Sequence, residues 1–407
     1  MKCRHCKNNL NLKFLDLANA PPSNSYLKKD DLKKPEITYP LRIMVCQNCW
    51  LVQTEDYTNA EELFNDEYAY FSSTSSSWLN HAANYCETIT QKLKLSKDSF
   101  VVELASNDGY LLRNFVKLDI PCLGIEPTKR TAQVSRDLGV DVKEVFFSEN
   151  VALQLVAEGR KADLIIGNNV YAHVPDINDF TAGVAVLLKS NGVVTFEFPH
   201  LMELINKNQF DTIYHEHFSY LSLISVKSIF SEFGLKIFDV DQLGTHGGSL
   251  RVYGCLQNAK HKISDNVEKI LNDEIKMGLK NKNIYENFQI KADKIKDTFV
   301  QFLLNAKYDK KVVAGYGAAA KGNTLMNYAG IKQDMINFVC DAAASKIGKY
   351  LPGSHIPILD PKVLESHHID YLIIFPWNIS DEIIQQNKAL SESGTKFVTI
   401  IPELKII

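Results

Sequence analysis

Four apolar segments, each closing on a polar turn and each followed by a helical period, constrain this chain more than any other feature. They lie at residues 99–105, 122–125, 163–167 and 192–197. Strands covered by helices on both faces lose their in–out alternation and become continuous apolar runs. The order therefore predicts an α/β unit with a mostly parallel sheet over residues 71–255. A second such unit opens at Lys311-Val312-Val313-Ala314-Gly315-Tyr316-Gly317, a strand running into a glycine turn. Further strands are expected at 338–340, 371–375 and 397–400, and a lysine-rich helical stretch, 256 to about 308, leads into it. The chain then divides into residues 1–70, a Rossmann-type unit over 71–255, and a helical linker with a second Rossmann-type unit over 256–407.

Charge and hydropathy exclude some function classes. Lys+Arg 45 against Asp+Glu 48 leaves a net charge of −3, which argues against a nucleic-acid partner. No apolar run approaches the roughly 20 residues that span a bilayer. Met1-Lys2-Cys3-Arg4-His5-Cys6 lacks the apolar core of a signal peptide. The expected compartment is the cytoplasm, with no membrane partner. There, paired cysteines are more often metal ligands than disulfides.

Cys3 and Cys6, then Cys46 and Cys49, form two Cys-x-x-Cys pairs separated by 39 residues. Two residues between ligands let a tight knuckle turn both thiolates toward one ion. Two knuckles complete a tetrahedral S4 shell, which suits structural Zn2+ and leaves no open position for catalysis. Two disulfides or four thiols is the competing reading. His5, inside the first knuckle, is expected to face solvent.

The first strand ends in Ser106-Asn107-Asp108-Gly109-Tyr110, a turn that fits the G-x-G-x-x-G fingerprint poorly. The second ends at Glu126, 17 residues beyond Gly109, where a carboxylate can accept both hydroxyls of an adenosine ribose. The third ends in Asn168-Asn169, and the fourth follows an Asn-Gly turn. Further on, Tyr214-His215-Glu216-His217 gathers proton-handling groups in a stretch too polar for core. A neutral imidazole can take a proton and a phenol can support a developing oxyanion, a pairing suited to proton removal beside a carbonyl. His215 and His217 as metal ligands, or as solvated loop histidines, remain alternatives.

The joint pattern is more specific than any of its parts. The four cysteines, Tyr68-Ala69-Tyr70-Phe71-Ser72-Ser73, Trp78-Leu79-Asn80-His81, Tyr214-His215-Glu216-His217, His246-Gly247-Gly248-Ser249-Leu250-Arg251 and the C-terminal Gly-Tyr-Gly and Lys-Gly-Asn-Thr occur in this order. Over essentially the whole chain this resembles the nucleotide-sugar C-methyltransferases, the deoxysugar C-3 methyltransferase family. The resemblance implies a zinc-binding module over 1–70, a class I S-adenosylmethionine (SAM) methyltransferase domain over 71–255, and a Rossmann-like domain within 256–407 that helps bind the nucleotide-sugar. It implies SAM and structural Zn2+ as cofactors, and a dTDP- or GDP-linked 4-keto-deoxysugar as partner. Glu103, Ala105, Asn107 and Gly109 would approach the methionine part of SAM, Glu126 the ribose, Phe147 the adenine, and Asn168 and Asn169 the sulfonium. His217 would be the base, with Tyr214 as its partner or oxyanion donor, or with those two roles exchanged, and Glu216 orienting one of them. Tyr70, His81, His215 and His246 would line the sugar pocket. Lys321, Asn323 and Thr324 would hold the diphosphate at a helix start.

The chemistry is consistent with that set. A sugar carbon is not nucleophilic, but a neighbouring ketone acidifies its proton, because the carbanion delocalises as an enolate. Two readings compete. Asp341 lies 24 residues past Gly317, a spacing that also suits an NAD-dependent nucleotide-sugar oxidoreductase, although the Tyr214–His217 cluster would then have no task. A non-catalytic zinc-module adaptor would need no acid/base cluster.

Overall fold

The computed structural model of the protein describes residues 1–57 and 71–407. Three sheets carry the described residues. Strands β1 (Leu12–Ala20), β2 (Tyr39–Val45) and β3 (Val52–Thr54) pair antiparallel. In the central sheet β4 (Val101–Leu104), β5 (Cys122–Ile125), β6 (Asp141–Lys143), β7 (Ala162–Asn168) and β8 (Leu188–Pro199) run parallel. β9 (Ser219–Tyr220) then leaves this unit and pairs with β3, so the N-terminal sheet reads β1-β2-β3-β9. β10 (Leu235–Leu243) and β11 (Ser249–Leu256) return antiparallel beside β8, giving β10-β11-β8-β7-β4-β5-β6.

The third sheet has β12 (Val313–Tyr316), β13 (Val339–Cys340), β14 (Ile358–Leu359), β15 (Tyr371–Ile374) and β16 (Lys396–Thr399) in parallel. β17 (Lys405–Ile406) closes it antiparallel, in the order β14-β13-β12-β15-β16-β17.

Alternation along the central strands sorts their side chains onto two covered faces. Val102, Leu104, Ile165, Val194 and Phe196 join one core, while Val101, Leu164, Ile166 and Val193 join another. A third core fuses the N-terminal sheet (Phe14, Leu15), the helix Phe288–Tyr308 (Phe299, Leu303) and the third sheet (Val313, Val339). The expected Asn-Gly turn before the fourth strand is instead part of β8. The register against β7 shifts between Ala162 and Leu164, a bulge that absorbs Asn191-Gly192 inside the strand.

Strand order reverses between β4 and β7, and the crevice at their carboxyl ends is where open α/β sheets hold ligands. Among the described residues no helix is long and apolar enough to cross a membrane.

Candidate active site

The four knuckle cysteines converge. Their sulfurs all lie within 4.8 Å of one another, with Cys3–Cys49 at 3.6 Å and Cys6–Cys46 at 3.3 Å. A disulfide needs about 2.05 Å. Thiolates about 2.3 Å from one zinc lie about 3.8 Å apart, so the donor set fits Zn2+ and excludes the disulfide reading. His5 corrects the expectation of solvent exposure. It is buried, its Nδ1 meets Asn178 Oδ1 at 2.9 Å, and Asn178 Nδ2 donates to the His5 carbonyl at 3.0 Å. The knuckle thus docks on the central unit, which a local reading of the first six residues does not reveal.

At the β4–β7 crevice the acidic turn is conformationally costly: Ala105 (φ 54°) and Asn107 (φ 50°) join Gly109 (φ 76°) in the left-handed region. At Gly109 a Cβ would also stand 2.6 Å from Ser135 Oγ. Glu126 organises this turn, accepting from Asn107 N (2.9 Å), Thr128 N (2.9 Å) and Thr131 Oγ1 (3.0 Å). Burial raises the Glu126 carboxyl above its ordinary range, and burial with Asp108 and Glu126 nearby raises Glu103 well above it. Glu103 Oε2, Ser106 Oγ, Asp108 Oδ1 and both polar atoms of the Asn168 amide are buried without a partner among the described residues. Buried polar groups are normally satisfied. Such a ring of unsatisfied donors and acceptors at the switch point fits a polar ligand of SAM's kind. Phe147 lies further along, its ring edge on Phe180 at 5.3 Å.

The helix Ser76–Leu93, opened by the Ser75 side chain capping Trp78 N, carries Trp78 and His81 to the same crevice. Their rings stack at 4.9 Å, and Trp78 meets the His246 edge at 5.2 Å. His81 Nε2 contacts both oxygens of buried Glu197 (3.0 and 2.9 Å). Register between β8 and β11 sets Arg251 directly opposite Glu197, and the two form an ion pair. Burial opposes the Glu197 charge, but His81 and Arg251 outweigh it and hold the carboxyl below its usual range. Asn169 (φ 53°) donates from Nδ2 to His246 Nε2 at 3.2 Å. Burial and Lys321 push His246 down to about 4.

Tyr214–His217 is a tight turn, closed by His217 N donating to the Tyr214 carbonyl at 3.0 Å. The His217 Nδ1–H donates to the Thr212 carbonyl (2.9 Å), which leaves Nε2 with the lone pair. The Tyr214 ring lies 4.0 Å and the His173 ring 4.6 Å from it. Burial, then His173, His246 and Lys321, holds His217 well below its ordinary value, so it is neutral at pH 7. His173 Nδ1 donates to the Glu216 carbonyl at 2.7 Å. His215 turns elsewhere, toward the Tyr39 edge at 6.0 Å. A turn in place of a strand separates the two histidines, and the four-cysteine group alone meets metal-ligand spacing among the described residues.

The third sheet reaches the crevice from its own carboxyl end. Lys321 Nζ donates to Asn378 Oδ1 (2.7 Å) and sits 4.3 Å from the Trp377 ring centre, and burial pushes it down to about 8. Trp377 Nε1 donates to buried Asp211 at 2.7 Å. The same indole packs on Gly247 (φ 89°), where a Cβ would stand 2.4 Å from it. Asn323 Nδ2 donates to Ser23 O (2.6 Å) and Thr324 Oγ1 to Ile213 O (2.8 Å), so both tie backbone around the turn. Asp341 spends Oδ2 on Ala318 N and Oδ1 on Ala343 N, both at 2.8 Å. Tyr70 lies outside the described residues. Sequence reasoning missed His173, Glu197, Asp211 and Trp377. His173 had a faint signal, following Asn168-Asn169 at a strand's carboxyl end.

Residues 3–64 match the model described as "Putative zinc binding domain", 77–240 a methyltransferase domain, and 244–402 a C-methyltransferase C-terminal domain. C-methyltransferase NovU of Streptomyces niveus is 33% identical over 406 residues, covering 100% of this chain and 96% of NovU. Ubiquinone biosynthesis O-methyltransferase of Bartonella quintana (strain Toulouse) is 27% identical over 100 residues, 23% of this chain and 38% of that protein. Magnesium protoporphyrin IX methyltransferase of Synechocystis PCC 6803, solved with bound SAM, is 11% identical with a TM-score of 0.36, covering 49% of this chain and 99% of that one.

Proposed function

We propose, from the premise that this chain belongs to the C-methyltransferase family, that its SAM-dependent methylation is directed to a nucleotide-diphosphate-linked 4-keto-deoxysugar, at the carbon beside the ketone and most simply at C-3. Bound SAM supplies an electrophilic methyl group on a sulfonium. Glu103 with the Ala105, Asn107 and Gly109 turn would hold its methionine part, Glu126 the ribose, Phe147 the adenine edge, and Asn168 and Asn169 the neighbourhood of the sulfonium. Zinc at Cys3, Cys6, Cys46 and Cys49 is structural, a closed shell with no reacting position.

The observation that carries the reading is the state of His217. Its Nδ1–H is committed to Thr212, its ring is buried and neutral, and Nε2 is the remaining basic atom. Nε2 takes the proton from the carbon next to the ketone. The phenol of Tyr214, whose ring is tilted against that imidazole with centroids 4.0 Å apart, donates to the enolate oxygen. Glu216 orients this pair or takes a sugar hydroxyl. His81 and His246 bound the sugar side, and Lys321, entering from the third sheet, attracts the diphosphate. Glu216 and His217 are buried and Tyr214, His81, His246 and Lys321 half-buried, which limits water at the reacting atoms and strengthens the electrostatic contacts there. The NAD reading has less support, because it leaves the Tyr214-His215-Glu216-His217 cluster without a task.

Incubation with SAM and a dTDP- or GDP-linked 4-keto-deoxyhexose should add the mass of one methyl to the sugar, on carbon. SAM and S-adenosylhomocysteine should raise the melting temperature, and NAD should not. Stabilisation by NAD alone, or methyl transfer only to oxygen, would defeat the proposal.

A further inference from the structure

We propose that Asn24, on the segment linking β1 to β2, is a positioning residue for the Glu216 carboxyl. This rests on the reading of Glu216 as part of the methyl-transfer site. Asn24 Nδ2 donates to Glu216 Oε1 at 3.1 Å. Glu216 is 2% exposed, and its Oε2 is buried with no partner among the described residues. With Oε1 held, rotation of the carboxyl is stopped, and Oε2 is left as the acceptor a bound molecule can use. Burial raises this carboxyl above its ordinary range, while the Glu216 backbone N–H first, and then the Asn24 side chain and backbone, pull it back toward the charged form.

The donor is itself rigidly set, although it lies 192 residues from its acceptor. Asn323 Nδ2 holds the Ser23 carbonyl (2.6 Å), and the Tyr26 hydroxyl donates to Ala318 O (2.6 Å). Leu27 and Tyr350 exchange backbone bonds at 2.9 and 2.8 Å. Glu36 accepts from Gly353 N and contacts His355 Nε2, each at 2.8 Å. The N-terminal segment is thus fastened along the third sheet and presents one amide to the catalytic turn. Asn323, expected at the diphosphate, acts in this scheme through Ser23 on the placement of Asn24.

A double-mutant cycle tests this. Steady-state constants are measured for wild type, Asn24→Ala, Glu216→Ala and the double variant, with SAM and a dTDP-linked 4-keto-6-deoxyhexose as probe. Asn24→Ala should lower kcat about tenfold while the KM for SAM stays within about twofold, and should cost less than about twofold further in the Glu216→Ala background, where no acceptor remains for the Asn24 amide. An equal loss in both backgrounds, or no loss in the wild-type background, overturns the inference. If wild type leaves the probe unmethylated, the function reading fails instead. The inference is then decided by a crystal structure of Asn24→Ala: a reoriented Glu216 carboxyl supports it, and an unmoved one overturns it.

Discussion

Replacing His217 by asparagine separates the two tasks of that side chain. An asparagine amide nitrogen can stand where imidazole Nδ1 stands, so the 2.9 Å bond to the Thr212 carbonyl is kept and the Nε2 position is lost. A bond of that type contributes about 1 kcal/mol, and with it retained the melting temperature should move by no more than about 4 °C. A positioned base is worth about 10²–10⁴ in rate, or about 3–5 kcal/mol of barrier. Burial and the neighbouring His173, His246 and Lys321 hold the wild-type imidazole well below its ordinary value. Its inactive protonated form therefore appears only in acid, and wild-type turnover should stay flat as pH falls through about 6.5, where a solvated histidine titrates. The assay follows deuterium from solvent into the keto-sugar by mass spectrometry, first with S-adenosylhomocysteine and then with SAM. Exchange and methylation should fall together by 10²–10⁴, with SAM affinity within about twofold. A variant that exchanges at the wild-type rate would remove His217 from the role of base.

Glu126→Ala removes a carboxylate that organises the acidic turn, and calorimetry should find SAM affinity weakened at least about tenfold; unchanged affinity would place the cofactor elsewhere. Elemental analysis should find one zinc per chain, and Cys46→Ser should lower both zinc content and thermal stability; a metal-free protein of full stability and activity would defeat the S4 assignment. Burial raises Asp211 to about 6, so the stability its proton contributes is present below the unfolded value of about 3.9 and is lost as pH rises through about 6. Asp211→Asn keeps an acceptor for Trp377 and cannot ionise, so urea unfolding should show it gaining on wild type between pH 4 and pH 7, by at most about 3 kcal/mol; a gain independent of pH would refute this. Lys321→Met should raise the KM for the sugar nucleotide more than it lowers kcat, and an unchanged KM would return that lysine to a structural role.

What could be read in advance was what is local. Residues 122–125 are apolar enough to be buried on both faces, and they coincide with β5. Four cysteines at knuckle spacing announce their chemistry because the spacing is the coordination geometry. His5 could not be read, since the partners that bury it, Asn178 and Ser228, lie 173 and 223 residues away. Glu197 and Arg251 became a pair only through the register of β8 against β11. Trp377 reaches Asp211 only because the third sheet docks its carboxyl end on the crevice. The Tyr214–His217 run suggested acid/base work, but which imidazole turns inward depends on a turn, closed by Tyr214 O, that composition does not specify.

Ser219–Tyr220 pairs with Gln53 and Val52 only two residues after the proposed base, and Val52 itself follows Cys49 by three. The thiolate knot and the imidazole therefore sit at the two ends of one short lever. A chimera that borrows its metal-bearing end from a relative must import a matching two-residue partner from deep inside the central unit. Without it, β3 is left with a bare edge open to stray pairing, and the loop behind the proton acceptor loses its far anchor.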